Sequence, residues 1–436
     1  MARLSPILPM HRAAEAALDR WGAPAAGPTA GPTAGPTAGQ SPGQTPAHQA
    51  GEPIDFVQAY APLELEYAVI RKSAGLVDSP QRSVVEVTGA DRQAFLNRMM
   101  TQELKEWTLG AGLWRSARSF WLSRKGRIDA DVRLLNLPDR VLIDADACAV
   151  GRLLQTLGDY VIADDVTLRD LTAALHRLEL HGPGAAAALA SVAARSLGGA
   201  PVGEIAPGGV SQVEIAGHSV IVERFDLTGE IGLHLTTPVQ GAQAVYRALL
   251  ALAAHNAPGH SGPNPRPLLR PIGWQAVNMA RVEAGQAQYL IDFGPDTLPA
   301  ETGLLDDRVS FTKGCYLGQE IVARMRSLGH PKRRLVCVRL EAQGDADVPL
   351  LPEAGAPVLV APAAGDDADG QWVAAGAVTS ATISPMLGRR PIALAMVGWA
   401  QVRDGLPVRV PALGSSDEPA LLDGRIRTDL ASLTRP

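Results

Sequence analysis

Alternation of apolar and polar positions marks out strands in the first two thirds of the chain. "SVVEVTG" (83–89) reads as one. "GRIDADVRLLNLPDRVLIDAD" (126–146) predicts two strands joined at the "NLPD" turn. Residues 166–168, "LHRLELHG" (175–182) and "VEIAGHSVIVERFDLTGEIGLHL" (213–235) predict more. Helical spacing intervenes. Leu65, Val69, Ile70 and Leu76 give a partial helical face within 63–80, with Gly75 as its stop. Thr88 and Asp91 stand at capping-box spacing ahead of Phe95, Leu96, Met99 and Met100 on one helical face. "AVGRLLQTLGDYV" (149–161) turns Leu153, Leu154 and Leu157 inward, and "GPGAAAALASVAARSLG" (182–198), "VYRALLALAAH" (245–255) and "QAVNMARVEAG" (275–285) read as further helices.

Beyond about Arg334 the texture changes. "RLVCVRL", "APVLVAP", "GAVTSATI", "IALAMVGW" and "LPVRVPAL" are short apolar runs between Gly and Pro turns, the pattern of a compact β-barrel or sandwich. At the other end, residues 27–38 repeat "GPTA" three times and run on into "GQSPGQTPAHQAGEP". Such a stretch has nothing apolar to bury and forms a flexible connector. The chain thus divides into an N-terminal helical segment (1–26, helical at about 10–20), a low-complexity insertion (27–53), an α+β body (54–333) and a β-barrel (334–436).

Composition changes this picture little. The chain is 46% hydrophobic and 19% charged with a net charge of −5, so no global basic field draws it to nucleic acid or anionic lipid. No apolar run reaches the roughly 18 residues of a membrane span, the first residues lack a signal-peptide core, and Glu15 and Asp19 argue against a transit peptide. Three cysteines without a CxxC or a histidine at ligand spacing argue against a disulfide framework or structural zinc, and suit a reducing cytoplasm.

The candidate chemistry lies in "KGCYLGQEIVAR" (313–324). Gly314 and Gly318 allow positive φ or close approach to a ligand. "QEIVARMRS" is good helix sequence, in which Glu320 and Arg324 form an i,i+4 pair. Cys315 precedes this helix N-terminus with Lys313 beside it, and both would favour thiolate over thiol. The alternative is a small buried hydrophobe, the reading given to Cys337 and Cys148.

"KGCYLGQE" resembles the K-G-C-Y-x-G-Q-E signature of the folate-binding YgfZ family, which is related to the T-protein (aminomethyltransferase) of the glycine cleavage system. Supporting matches run in order from about 54 to 436, among them "VEVTGADRQAFLNRMMTQEL", "GRIDADVRL", "LHGPGA", "LTGEIGLHL", "ARVEAG" and "GAVTSATISPMLGRRPIALAMV". The resemblance implies a ring-like, multi-module T-protein-type body with a folate site at its centre and a C-terminal β-barrel. It draws in residues 5–22, which would make the "GPTA" array an insertion in a surface loop. It implies tetrahydrofolate as cofactor, iron–sulfur client or assembly proteins as partners, and a role in assembly or repair of iron–sulfur enzymes.

The resemblance also suggests site residues. Asp131 matches the second acid of the T-protein's GxxxDD-type motif, near the reactive folate nitrogen, and is the candidate acid/base beside Cys315 and Lys313. Asp129 shares its strand face, where like charges would raise one pKa. Thr228, Gly229, Glu230 and Gly232 match a TGE-x-G turn. His234 stands where the T-protein has a pterin-contacting glutamate, Asp144 where it has a pterin-facing asparagine, and Val277 where it has an arginine, while Arg281 and Glu283 are kept. Tyr316, Gln319, Glu320 and Arg324 complete the expected folate-binding set. The basic run Arg324, Arg326, Lys332, Arg333, Arg334 either steers polyglutamate tails or an acidic partner past Cys315, or is a solvated face. A direct RNA role is not expected, for want of an aromatic stacking platform; an indirect link to tRNA modification stays open. A folate-dependent aminomethyltransferase is the alternative function, and a passive folate-binding or partner-docking module a third.

Overall fold

A computed structural model describes residues 5–21, 54–108, 113–255, 267–327, 329–345, 348–361, 372–412 and 420–433. The "GPTA" array lies outside the described residues. Two sheets and a barrel carry the fold. In the five-stranded sheet the order is Arg115–Leu122, Ile128–Asn136, Val141–Asp146, Arg82–Thr88, Thr167–Asp170. Helices Arg92–Met99 and Ala147–Gly158 cover one face, burying Phe95, Leu96, Leu153 and Leu157 against Phe120, Trp121 and Ile143.

In the seven-stranded sheet the order is Ala193–Gly199, Val210–Ile215, His218–Arg224, Gly232–Pro238, Leu175–His181, Gly75–Asp78, Arg270–Pro271. Its covering helices are Ala185–Val192 and Val239–Leu250, over a core that includes Leu178, Leu180, Val222 and Leu235. Between the sheets Val84, Leu135, Leu142, Val210 and Ile221 form a separate apolar cluster. Polar side chains share that interface.

The barrel closes in the order Arg333–Leu340, Arg390–Gly398, Val373–Ser384, Pro357–Val360, Pro407–Ala412, Ala420–Arg427, as its spaced apolar runs predict. It docks on the body through helix Trp274–Glu283. There Arg281 reaches Asp292 at 2.6 Å and Ser380 Oγ at 2.8 Å, all buried, and Glu283 accepts from Ser384 Oγ. No described helix is long and apolar enough to cross a membrane.

Several expectations are corrected. The N-terminal helix covers Leu8–Ala13 only, and Ala17–Trp21 is a strand pairing antiparallel with Ile54–Ala59. Residues 22–53 therefore connect two strands of one ladder. The helix at 63 stops at Lys72, Leu65 is exposed, and Gly75 begins a strand of the large sheet. Thr88 and Asp91 make no capping box: Asp91 Oδ2 accepts from Asp165 N at 2.8 Å, while Asp165 Oδ2 accepts from Ala90 N at 2.9 Å. Residues 193–199 leave the alanine-rich helix to pair with Val210–Ile215, because edge pairing outweighs local propensity. Strands Arg115–Leu122 and Ala420–Arg427 escaped the sequence pattern.

Candidate active site

Strand register assembles the site. Across the five-stranded sheet, Arg118, Arg133 and Asp144 are direct neighbours on successive strands. Across the seven-stranded sheet, Glu223, His234 and Glu179 form a second row. The rows meet between the sheets: Arg133 Nε lies 3.5 Å from Glu223, and its Nη1 lies 3.1 Å from His234 Nδ1.

Asp144 is fully buried and accepts from Arg82, Arg133 and Arg177. Burial opposes its ionisation, but the three guanidiniums outweigh burial and hold it well below the usual carboxylate range. It therefore does not face a ligand as the resemblance suggests. It is the hub that fixes three arginines, and it lines neither cavity described below.

Asp131 lies two residues before Arg133, hence on the same face. Arg308 Nε donates to its Oδ1 at 2.8 Å and Nη2 to Oδ2 at 3.4 Å. Asp129 is claimed separately by Arg152, at 2.7 and 3.0 Å, so the two carboxylates do not share a partner.

Asp131, Arg133, His234, Arg308, Gln81 and Tyr289 line a small cavity of about 80 Å³. A larger one, about 690 Å³, is lined by Arg115, Arg118, Arg224, Trp107 and Asp307 among others. Both touch Phe225 and Gln286. The Phe225 ring is flanked by Arg118 (4.9 Å) and Arg133 (4.7 Å to the centroid). Only the larger volume falls in the ~300–1,000 Å³ range of small-molecule sites.

Burial, helped by Arg133, Arg177 and His181, keeps His234 neutral against the pull of Glu179, well below the ordinary imidazole pKa. Its Nε2 has no partner, and neither has Gln81 Oε1. Glu179, His181 and His234 bring ligand atoms within 4.8 Å of one another, a donor set that zinc accepts. Arg133 already takes His234 Nδ1 and Arg177 acts on Glu179, so cationic charge for this trio comes from the protein itself.

The KGCYLGQE segment is a different surface. Lys313 is buried, and its Nζ donates to the carbonyls of Asn97, Met100 and Gln102, each at 2.7 Å. All three N–H bonds are thus used on the last turn of helix Arg92–Met99 and the loop that follows it. Lys313 anchors the segment rather than activating Cys315, which corrects its assignment as a catalytic group. Burial lowers its pKa to about 8. Tyr316 is buried in the main core under that ammonium and also leaves the site, burial pushing its phenol up to about 12.

Gly318, at φ +79°, packs on Ser123 O and Leu122, seating helix Gln319–Ser327 against the 123–126 turn. Gln319 reaches only Gly314 O, at 3.5 Å; Glu320 and Arg324 are exposed, and none of the three lines either cavity. Glu230 pairs with Arg71 at 3.3 Å, away from both. Cys315 is exposed, whereas Cys337 is buried and Cys148 half-buried. Burial, then Asp146, pushes the Cys148 thiol up to about 12. Cys315 lies seven positions after Arg308, a reach of at most ~25 Å.

Of the expected set, then, only Asp131 and His234 come together. Arg133, Arg308, Phe225 and Gln81 join them unforeseen. Arg133 was legible as the next residue on the face of Asp131; the others carry no local signal.

Comparison with known proteins matches residues 47–313 to the GCVT N-terminal domain and 333–420 to the glycine cleavage T-protein C-terminal barrel domain. Cys315 falls in the stretch between the two matches. Proteins named aminomethyltransferase are similar over most of their length. That of Herpetosiphon aurantiacus is 27% identical over 357 residues, covering 82% of this chain and 87% of the relative. That of Streptomyces avermitilis is 28% identical over 342 residues, covering 78% and 82%. The crystal structure of glycine cleavage system aminomethyltransferase T from Bartonella henselae superposes with a TM-score of 0.72 at 20% identity, covering 100% of this chain and 99% of that one, a likeness of fold.

Proposed function

Because the chain belongs to the family of the GCVT N-terminal domain, we propose that it binds tetrahydrofolate at the two cavities that share Phe225 and Gln286 and supports assembly or repair of iron–sulfur proteins through Cys315. The observation that carries the folate half is the small cavity itself, on whose wall Asp131, held by Arg308, stands beside Arg133 and Tyr289. On the larger cavity Arg118 pairs with Asp307 and Arg224 with Asp226, beside Arg115, Glu103, Glu106 and Glu223. Bound tetrahydrofolate supplies a reduced pterin whose nitrogens carry one-carbon units. Asp131, held by Arg308, orients or accepts a proton from a ring nitrogen, and Phe225 screens that end from water.

The iron–sulfur half rests on Cys315 being the one exposed thiol of three in a segment that resembles the YgfZ signature. It acts as an exposed sulfur held out by the Lys313 anchor, in the cytoplasm, where thiols stay reduced. Client proteins are its partners.

Folate-dependent aminomethyl transfer is the second reading, favoured by the relatives' names and by Asp131 on a cavity wall. Two assays separate them. In a strain lacking the protein, Cys315→Ser abolishes rescue of iron–sulfur enzyme activities while Asp131→Asn has a milder effect. If the purified protein instead turns over an aminomethylated lipoyl carrier, and Asp131→Asn abolishes turnover, the transferase reading replaces the first.

A further inference from the structure

Beside its basic run the sequence shows no aromatic stacking platform; the fold brings one there. The 123–127 turn, which presents Arg124, Lys125 and Arg127, lies against helix Gln319–Ser327: a Cβ at Gly126 would meet Ile321 Cβ at 2.7 Å. The same helix packs on Pro299–Glu301, where Glu301 holds Arg333 at 3.4 Å. One surface therefore carries Arg124, Lys125, Arg127, Arg324, Arg326 and Lys332, all exposed. Among the described residues none of these cations forms an ion pair. Within these segments the acids are Glu320 and Glu301, the latter already taken. Asp159 stands near Arg124, and Asp296 lends its carbonyl to Arg127. On a chain of net charge −5, this is a segregated basic face.

Two flat platforms sit among the charges. His330, exposed, stacks on Trp399 with centroids 5.1 Å apart and planes 5° from parallel. Trp399 N donates to Lys332 O at 2.9 Å, which holds the pair beside the cations. The guanidinium of Arg326 lies 3.8 Å from the centroid of the Phe311 ring. The imidazole face turned away from Trp399 and the outer plane of that guanidinium can each stack a base. Carboxylates of an acidic protein would use the cations and leave these faces uncovered. A strand that alternates phosphate and base uses both.

We propose that this face binds single-stranded nucleic acid, with phosphates on the cations and bases stacked on His330 and Arg326. The binding depends on neither the folate nor the iron–sulfur reading. The exposed Cys315 stands four positions before the helix that carries Arg324 and Arg326.

The full-length protein is titrated by fluorescence anisotropy against a labelled oligothymidylate of about 12 nucleotides. An abasic strand with the same number of phosphates and an oligouridylate of the same length are run beside it. Expected is a preference of about fivefold or more for oligothymidylate over the abasic strand, the equivalent of one stacked base. His330→Ala lowers that preference and His330→Phe keeps it. Affinity falls with salt at a log–log slope of ~0.7 per phosphate engaged, so Arg324→Gln combined with Lys332→Gln should reduce the slope by about 1.4. Whichever of oligothymidylate and oligouridylate binds more tightly identifies DNA or RNA as the source, and either supports the inference. Thermal melts confirm that each variant is folded, and the comparison with the abasic strand needs no variant. No binding of either strand at about 50 mM salt, or a slope untouched by the double variant, overturns the inference. So does equal affinity for the abasic strand, or a polyglutamate peptide bound as tightly as oligothymidylate, which would make this face a surface for acidic protein.

Discussion

Arg308 Nε donates to Asp131 Oδ1 at 2.8 Å, joining the segment that leads to Cys315 to the strand that carries the cavity carboxylate. The two partners are not equivalent. Arg308 also pairs with Asp307, whereas Asp131 has no second cation among the described ion pairs. Asp131→Asn should therefore cost about 1 kcal/mol of stability, and Arg308→Met about 3 kcal/mol. Urea denaturation of the two variants checks the order; equal losses would contradict the assignment.

Lys313→Met leaves three inward carbonyls, those of Asn97, Met100 and Gln102, without their donor. A loss of about 2–4 kcal/mol is expected. Cys315→Ser, at an exposed position, should stay within ~0.5 kcal/mol. A stable Lys313→Met protein would show that the lysine is not an anchor.

The barrel is held by a buried ion pair. Arg281→Ala removes the guanidinium from Asp292, whose side chain is 0% exposed, and abandons Ser380. The expected cost is about 3–5 kcal/mol, read as a shift of the denaturation midpoint.

Two glycines with positive φ separate strain from clash. A Cβ at Gly285 (φ +66°) would lie 1.9 Å from Leu430 O, whereas one at Gly388 (φ +67°) meets nothing within 4 Å. Gly388→Ala should cost about 1 kcal/mol, the conformational term alone. Gly285→Ala must also displace the segment that closes the barrel onto the body, so its midpoint should fall further.

Acid should unfold the protein through its buried carboxylates. Burial opposes the ionisation of Asp78, but His176 and His11 outweigh it and hold the carboxyl below its usual range. The same holds for Glu179, where burial is outweighed by the hydrogen bond from His181 and the charge of Arg177. A folded pKa below the unfolded one means that the unfolded state binds protons first as pH falls. The stabilisation is complete above the unfolded value of about 4 and drains away below it. Stability measured from pH 6 down to pH 3 should drop most steeply below about 4, and Asp78→Asn should flatten that limb while lowering stability at neutral pH.

The sequence by itself determined the elements and their faces. Period two put Asp129, Asp131 and Arg133 on one side of a strand, and spaced apolar runs announced the barrel, because these patterns follow from backbone geometry within a single segment. The motif around Cys315 was equally legible, but whether its sulfur is exposed or buried was left to the structure. Only the tertiary structure decided who meets whom. Lys313 stands two residues from Cys315 in sequence, yet its ammonium turns inward to carbonyls of another loop. Asp144 reads as a ligand-facing acid until Arg82, Arg133 and Arg177 converge on it from three strands. His234 meets Arg133, a residue 101 positions away. Partners across an interface between two sheets are set by register and packing of distant segments, and no periodicity within either segment encodes them.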